Sequence, residues 1–295
     1  MIVNELKISN SRGDSIQFGR HFKLINGLDL SNLSATVNYS ENTMDGAHYQ
    51  NTKLDVREFD LEFFIDINFQ EELWIEDKRQ ELFKVFNPKY NPVRLDFTTK
   101  GGQQYYLNAN LITAPVLPQD FENSNRKWQK GLLQFLATDP YIYAADSKKV
   151  DIALWVPAFE FPLEIVEGGI EMGYRSPSLI VNVNNDGQES TGMNIRFKAS
   201  SEVVNPKLLN VNSYDELKLN VTMTPGDVVE ISTYKGKRSI ILTRNNVKTN
   251  IFNALDLSST FLQLEVGDNL FRYDAESGLD YLEVSMTFTP RQIGV

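Results

Sequence analysis

The chain has 295 residues, 41% of them apolar and 23% charged, with a net charge of -10 and no cysteine. This length suits two domains better than one core, and the composition is that of an ordinary globular protein. The acidic balance argues against a broad phosphate-gripping surface, and the missing cysteine excludes disulfides and thiolate metal sites while leaving the compartment undecided.

The first residues, Met1, Ile2, Val3, Asn4, Glu5 and Leu6, lack the basic start and apolar stretch of a signal peptide. No run reaches the ~20 apolar residues of a transmembrane span. Arg12-Gly13-Asp14 matches a cell-adhesion tripeptide, but it falls between two strand-like runs, residues 6–8 and 16–18, where a turn is expected. Leu33, Ala35, Val37 and Tyr39 then predict a half-buried strand. Residues 40–53 are polar and carry Asp45-Gly46, a pair that favours a tight turn because glycine takes positive φ without steric cost. A long hairpin with its tip away from the core is expected here.

Residues 54–68 show the clearest pattern. Phe59, Leu61, Phe63, Ile65 and Ile67 alternate with Asp60, Glu62, Phe64, Asp66 and Asn68, which predicts one antiparallel strand with a single buried face. A helix is expected over 70–86. Glu71 and Glu72 lie in its first turn and Lys84 in its last, as the macrodipole favours. Its apolar face holds Ile75, Leu82 and Phe86, widened by Leu73, Trp74 and Phe83, and Asn87-Pro88 stops it. Strands follow over 93–98 and 104–113, joined through Gly101-Gly102, and then over 127–138.

That last strand runs into Asp139-Pro140-Tyr141-Ile142-Tyr143. Proline fixes its own φ and pushes the residue before it out of the helical region, so the chain turns sharply here. Asp139, Pro140 and Tyr141 therefore mark a domain junction. It divides the chain into an N-terminal domain, residues 1–143, and a C-terminal domain, residues 144–295, that opens with a connector over 144–177. From residue 178 onward helical periodicity is absent. Strands are expected over 179–183, 194–198, 216–223, 228–233, 238–243, 261–264, 269–274 and 281–288. Turns fall at Asp186-Gly187, Pro225-Gly226, Lys235-Gly236 and Gly267-Asp268. The spacing predicts a β-sandwich or jelly roll. The fold class is mainly β, with an α+β first half built around one main helix.

Signals for chemistry are weak. The two histidines, His21 and His48, lie in loop-like sequence, and His48 beside Asp45 is far more simply a solvated loop residue than half of a metal site. Gly168-Gly169 is followed by no lysine placed to reach a phosphate, and no nucleophile elbow occurs. Asp60, Glu62 and Asp66 are carboxylates of one strand face, which is the simpler account than a glycosidase pair. Aromatics of the second half fall mostly at alternate strand positions, as core residues do. The expectation is no catalytic residue, no metal and no cofactor.

Taken in order, these pieces resemble the distal tail proteins of phages with long, non-contractile tails. In the first half the resemblance rests on the strand–helix–strand layout and on Leu132-Leu133-Gln134-Phe135 running into Asp139-Pro140-Tyr141. In the second it rests on Phe161-Pro162-Leu163, Val183-Asn184-Asn185-Asp186-Gly187, Asn205-Pro206 and Thr224-Pro225-Gly226-Asp227. It continues through Phe261-Leu262-Gln263-Leu264, Val266-Gly267-Asp268-Asn269 and Met286-Thr287-Phe288. The resemblance implies a baseplate hub protein at the virion tail tip, assembled in the host cytoplasm. Its N-terminal domain would form a homo-hexameric ring lining a channel for DNA, and its C-terminal galectin-like sandwich would face outward. Implied partners are the tail tube protein, the tail-associated fibre or lysin protein and receptor-binding proteins, with no specific nucleic-acid binding and no membrane insertion. The hairpin tip, Thr43, Met44, Asp45, Gly46, Ala47, His48 and Tyr49, is the candidate assembly interface, being too long for a tight connection and mixing apolar with polar residues. The competing reading is a carbohydrate-binding or glycan-cleaving module, suggested by the sandwich alone.

Overall fold

The computed structural model describes residues 3–42, 44–67, 75–125, 128–153, 155–157, 173–175 and 180–295. The chain forms two compact units, one of residues 1–145 with 292–295, the other of residues 146–291.

In the first unit the strands are β1 (Val3–Ser9), β2 (Ser15–Phe18), β3 (Phe22–Leu24), β4 (Ala35–Glu41), β5 (Ala47–Leu54), β6 (Arg57–Asp66), β7 (Val93–Thr99), β8 (Gln104–Leu111), β9 (Trp128–Ala137) and β10 (Ile142–Ala144). The main sheet runs β2-β1-β7-β8-β9-β6-β3, with β10 beside β8. Period-two alternation sends one side of each strand inward. Leu6 and Ile8, Leu95 and Phe97, Leu133 and Phe135, and Leu61, Phe63 and Ile65 share one core. The helix α1 (Ile75–Val85) adds Leu82 and Val85 to that core, and Phe86 follows them. Phe83 is exposed, so the apolar face is narrower than its sequence suggests. Asn87 ends the helix as expected, accepting the Lys89 amide while the chain passes into a short 3-10 turn. Residues 70–74 of the predicted helix and Asn68 lie outside the described residues.

Two strand expectations are corrected here. The strand predicted over 54–68 is two strands: β5 ends at Leu54 and β6 begins at Arg57. Asp55 breaks it, because its amide donates to Ser34 O (3.0 Å) and its carboxylate takes the Thr36 hydroxyl (2.9 Å), closing the base of a ribbon. That ribbon is β4 paired with β5, so the segment expected as a hairpin loop supplies the second strand of the hairpin itself. The strand around Val37 is also not half-buried: Ala35, Val37 and Tyr39 are exposed.

The second unit is a β-sandwich. One sheet runs β11 (Lys148–Ala153), β24 (Leu282–Phe288), β15 (Met193–Ala199), β20 (Val228–Ser232), β21 (Ser239–Arg244) and β22 (Val247–Asn250). The other runs β14 (Ile180–Asn185), β23 (Gly267–Asp274), β17 (Lys207–Asn210) and β18 (Glu216–Lys218). Four shorter strands form two further pairs: β12 (Trp155–Pro157) with β13 (Gly173–Arg175), and β16 (Val203–Val204) with β19 (Thr222–Met223). Phe197, Phe271, Tyr273 and Phe288 are buried between the sheets, as expected of aromatics at alternate strand positions. The strand predicted over 216–223 divides because its backbone changes partners: Leu219 N donates to Pro206 O and Asn220 N to Ala254 O. Residues 261–264 form no strand. Gln263 turns its side-chain amide onto the carbonyls of Thr233, Phe261 and Leu262 instead. Phe161-Pro162-Leu163 lies outside the described residues.

Candidate assembly surface

The ribbon β4–β5 forms a two-stranded sheet of its own, with no third strand among the described residues. Tyr39 pairs with Tyr49 and Val37 with Thr52, so these four share one face; Ser40 pairs with His48 and Asn38 with Asn51 on the other. Val37 is 51% exposed, Tyr39 61% and Tyr49 66%. The ribbon is thus amphipathic with its apolar face open to solvent. It is held by cross-strand polar bonds such as Asn38 Nδ2 to Asn51 Oδ1 (2.6 Å) and by the Asp55 contacts at its base. An isolated two-stranded hairpin is marginal in water, and an exposed apolar face rimmed by polar groups marks a contact surface.

The residues selected from the sequence lie at its far end. Met44, Asp45, Gly46, Ala47, His48 and Tyr49 are all exposed, and Thr43 lies outside the described residues. Gly46 has φ +98° with open space around it, as the turn requires. What the sequence missed is that the apolar content belongs to the strand face of Val37, Tyr39 and Tyr49 more than to the tip. The signal was present, since alternation through residues 35–41 matches that of any half-buried strand.

Asp139, Pro140 and Tyr141 lie between β9 and β10. Asp139 accepts the Tyr141 amide (3.4 Å) and the Tyr143 hydroxyl (2.7 Å). Tyr143 stacks on Tyr106 at 5.3 Å, and the Arg94 guanidinium lies 3.9 Å from the Tyr106 ring centre while pairing with Asp96. The buried Arg57 donates from Nε to Pro140 O (3.0 Å). Burial pulls the Arg57 pKa down, though a guanidinium stays charged in a protein. The sequence signal for Arg57 is a cation in phase with the inward residues Phe59 and Leu61.

The other sequence candidates are accounted for structurally. Arg12-Gly13-Asp14 forms a turn, with Arg12 over the Tyr90 ring and Asp14 3.2 Å from Lys84 Nζ. The Lys84 hydrogen bond is the main reason the Asp14 carboxyl is held below its ordinary range. Of the strand-face carboxylates, Glu62 meets Lys130 (3.5 Å) and Asn26 (3.2 Å), and Asp66 pairs with Lys23. Among the described residues no group of three His, Asp or Glu side chains is placed to hold a metal, and no helix is long and apolar enough to cross a membrane.

On the second unit, a groove of about 460 Å³ lies over the outer sheet face around Lys149, Asn194, Arg196, Glu230, Ser232 and Ser239. Its lining mixes these polar side chains with Ile195, Ile231 and Ile241 and contains no aromatic ring. Elsewhere on this unit Leu257 is fully exposed on a turn fastened by Asp256. That carboxyl is pushed down to about 2 by the Ser258 hydroxyl and amide and by Asn220.

Comparison with known proteins adds the class. Residues 11–137 match the family model of the phage tail protein RIFT-related domain, and residues 186–291 that of the siphovirus-type tail component, C-terminal domain. Both units are therefore those of a phage tail structural component. The chain belongs to the distal tail protein family of siphophages, whose members are structural parts of tails and baseplates. The SPP1 Dit protein, described as a paradigm of the hub adsorption apparatus in phages infecting Gram-positive hosts, shares the fold with a TM-score of 0.67 at 13% identity, over 97% of this chain and 98% of its own. A chain of the phage p2 baseplate in its calcium-activated conformation gives 0.52 at 10%, over 99% of both. The strontium form gives 0.52 at 12% over the same share. No curated protein matches the sequence.

Proposed function

We propose that the protein is the hub of a siphophage tail tip, forming a hexameric ring that joins the tail tube to the fibre or lysin protein and lets DNA pass. In this reading residues 1–143 carry ring formation, and residues 144–295 face outward toward receptor-binding proteins. Family membership supports the tail role, and the likeness to a baseplate chain supports placement at the tip. The observation that carries assembly is the open apolar face of Val37, Tyr39 and Tyr49 on a two-stranded ribbon. A closed ring needs two complementary faces on each subunit, and a projecting ribbon is a natural candidate for one of them. The net charge of -10 suits a channel through which phosphates must slide without being held. The outer groove of the sandwich favours no glycan, since it offers no ring for a sugar to stack on.

Mass measurement in solution by light scattering, with and without tail tube protein, tests the reading. A six-subunit species in either condition supports it. A monomer at high concentration that also ignores tube protein overturns it.

A further inference from the structure

The first unit is completed by residues 292–295. The chain leaves it after residue 145 and returns at residue 292, so two crossings bound the second unit. One side chain touches the approach to each. Arg57 is fully buried at the start of β6. Its Nε donates to Pro140 O (3.0 Å), five residues before the first crossing. Its Nη2 donates to Ile293 O (2.6 Å), one residue after the second. Its Nη1 donates to Leu30 O, in the segment before the ribbon. All three acceptors are backbone carbonyls, and among the described residues no carboxylate pairs with the guanidinium. We propose that Arg57 is a positioning residue that couples the two crossings, so that holding residues 292–295 and holding Pro140 are one event.

The coupling follows from the chemistry of a buried cation. A desolvated guanidinium has to place its N–H groups on acceptors, and with no carboxylate present it depends on each carbonyl. Its donors lie in one rigid plane, so moving the group to satisfy one acceptor moves it relative to the others. If residues 292–295 detach, water enters beside Arg57 and the bond to Pro140 O competes with hydration. If Arg57 is removed, the carbonyls of Leu30, Pro140 and Ile293 lose the same partner together. The three segments lie far apart in sequence, so local propensity does not bring them together; the short strand β25 (Arg291–Gln292) pairs with β10 beside them, and Arg57 adds the side-chain link from Ile293 to Pro140 and Leu30.

The Ala145 amide, which donates to Gln104 O (3.0 Å), reports on the first crossing. Hydrogen exchange there would be measured in the full chain, in a chain ending at Gln292, which keeps the pairing of β25 with β10 and loses only the Ile293 acceptor, in Arg57→Leu and in the combination. Digestion of the C-terminal residues by carboxypeptidase would be followed in the full-length forms. The truncated chain should exchange at Ala145 about ten-fold faster than the full chain, the size expected when a buried bond is lost. Arg57→Leu should do the same and should lose residues 292–295 to the enzyme faster. The combination should be no faster than either alone, the mark of a shared interaction. Unchanged exchange at Ala145 in the truncated chain, additive effects, or digestion of Arg57→Leu at the wild-type rate would overturn the proposal. Should Arg57→Leu fail to fold, the truncated chain decides the matter, because it keeps Arg57.

Discussion

The pairs β6–β9 and β4–β5 are both antiparallel, both alternate apolar with polar residues, and both lie in one unit. In β6–β9 the apolar side is closed over: Leu61, Phe63 and Ile65 are wholly buried, with α1 and the other strands completing the core. In β4–β5 the corresponding side is open to water. The difference shows that alternation specifies two faces without specifying what covers either. Where the chain supplies the cover, a strand pair becomes core; where it does not, the pair is left for something else to cover.

The largest test of that contrast is a matched pair of truncations. Phe63 packs edge-on against Phe18 and Phe22, and Phe63→Ala should cost about 3–5 kcal/mol by cavity formation. Tyr39→Ala, an equally severe cut on the ribbon, should change stability by no more than about 0.5 kcal/mol. Urea unfolding of the isolated chain measures both. A loss at Tyr39 as large as that at Phe63 would mean that the ribbon is covered by its own chain, and the contrast would fail.

A smaller effect sharpens the buried side. Gly131 stands directly opposite Phe63 across the β6–β9 seam. A Cβ there would overlap the Phe63 ring and lie 2.9 Å from Leu117 Cδ2. The glycine is needed for close packing, since the ring fills the space its side chain leaves. Gly131→Ala should destabilise by about 1–3 kcal/mol through overpacking, read as a lower urea midpoint with the slope retained. A midpoint equal to that of the parent would show that the seam has room to relax.

The same contrast explains what could be read in advance. Phe59 to Ile65 were legible because period two is written in neighbouring residues, and the turns at Gly46 and Gly226 because positive φ selects glycine. The exposure of Val37 and Tyr39 was not, because it depends on how the rest of the chain folds and not on the local pattern. Nor was the return of the C-terminus: Arg57 and Ile293 are 236 positions apart, and no local pattern encodes such a pair. Residues 261–264 misled for a related reason. Their apolar run is buried, with Leu262 and Leu264 in the core, but a side-chain amide rather than a neighbouring strand satisfies several of the local carbonyls.

The smallest expected change in stability carries the functional side of the comparison. Tyr39→Ser with Tyr49→Ser removes the aromatic pair from the open face while leaving the ribbon's backbone pairing and its Asp55 base intact. Both rings are mostly in water in the isolated chain, so little burial is lost and unfolding should shift by no more than about 0.5 kcal/mol. In an assembly the same rings would lie at the centre of a contact, where loss of a buried aromatic anchor typically costs about 2 kcal/mol or more per site. Repetition around a closed ring would multiply that cost. Met44→Ser at the tip provides the control, since it alters an exposed apolar residue away from the paired tyrosines. The expected outcome is that the double tyrosine variant remains folded and monomeric beside tube protein under conditions where the parent assembles, while Met44→Ser assembles. If the double variant assembles normally and Met44→Ser does not, the contact belongs to the tip and not to the strand face.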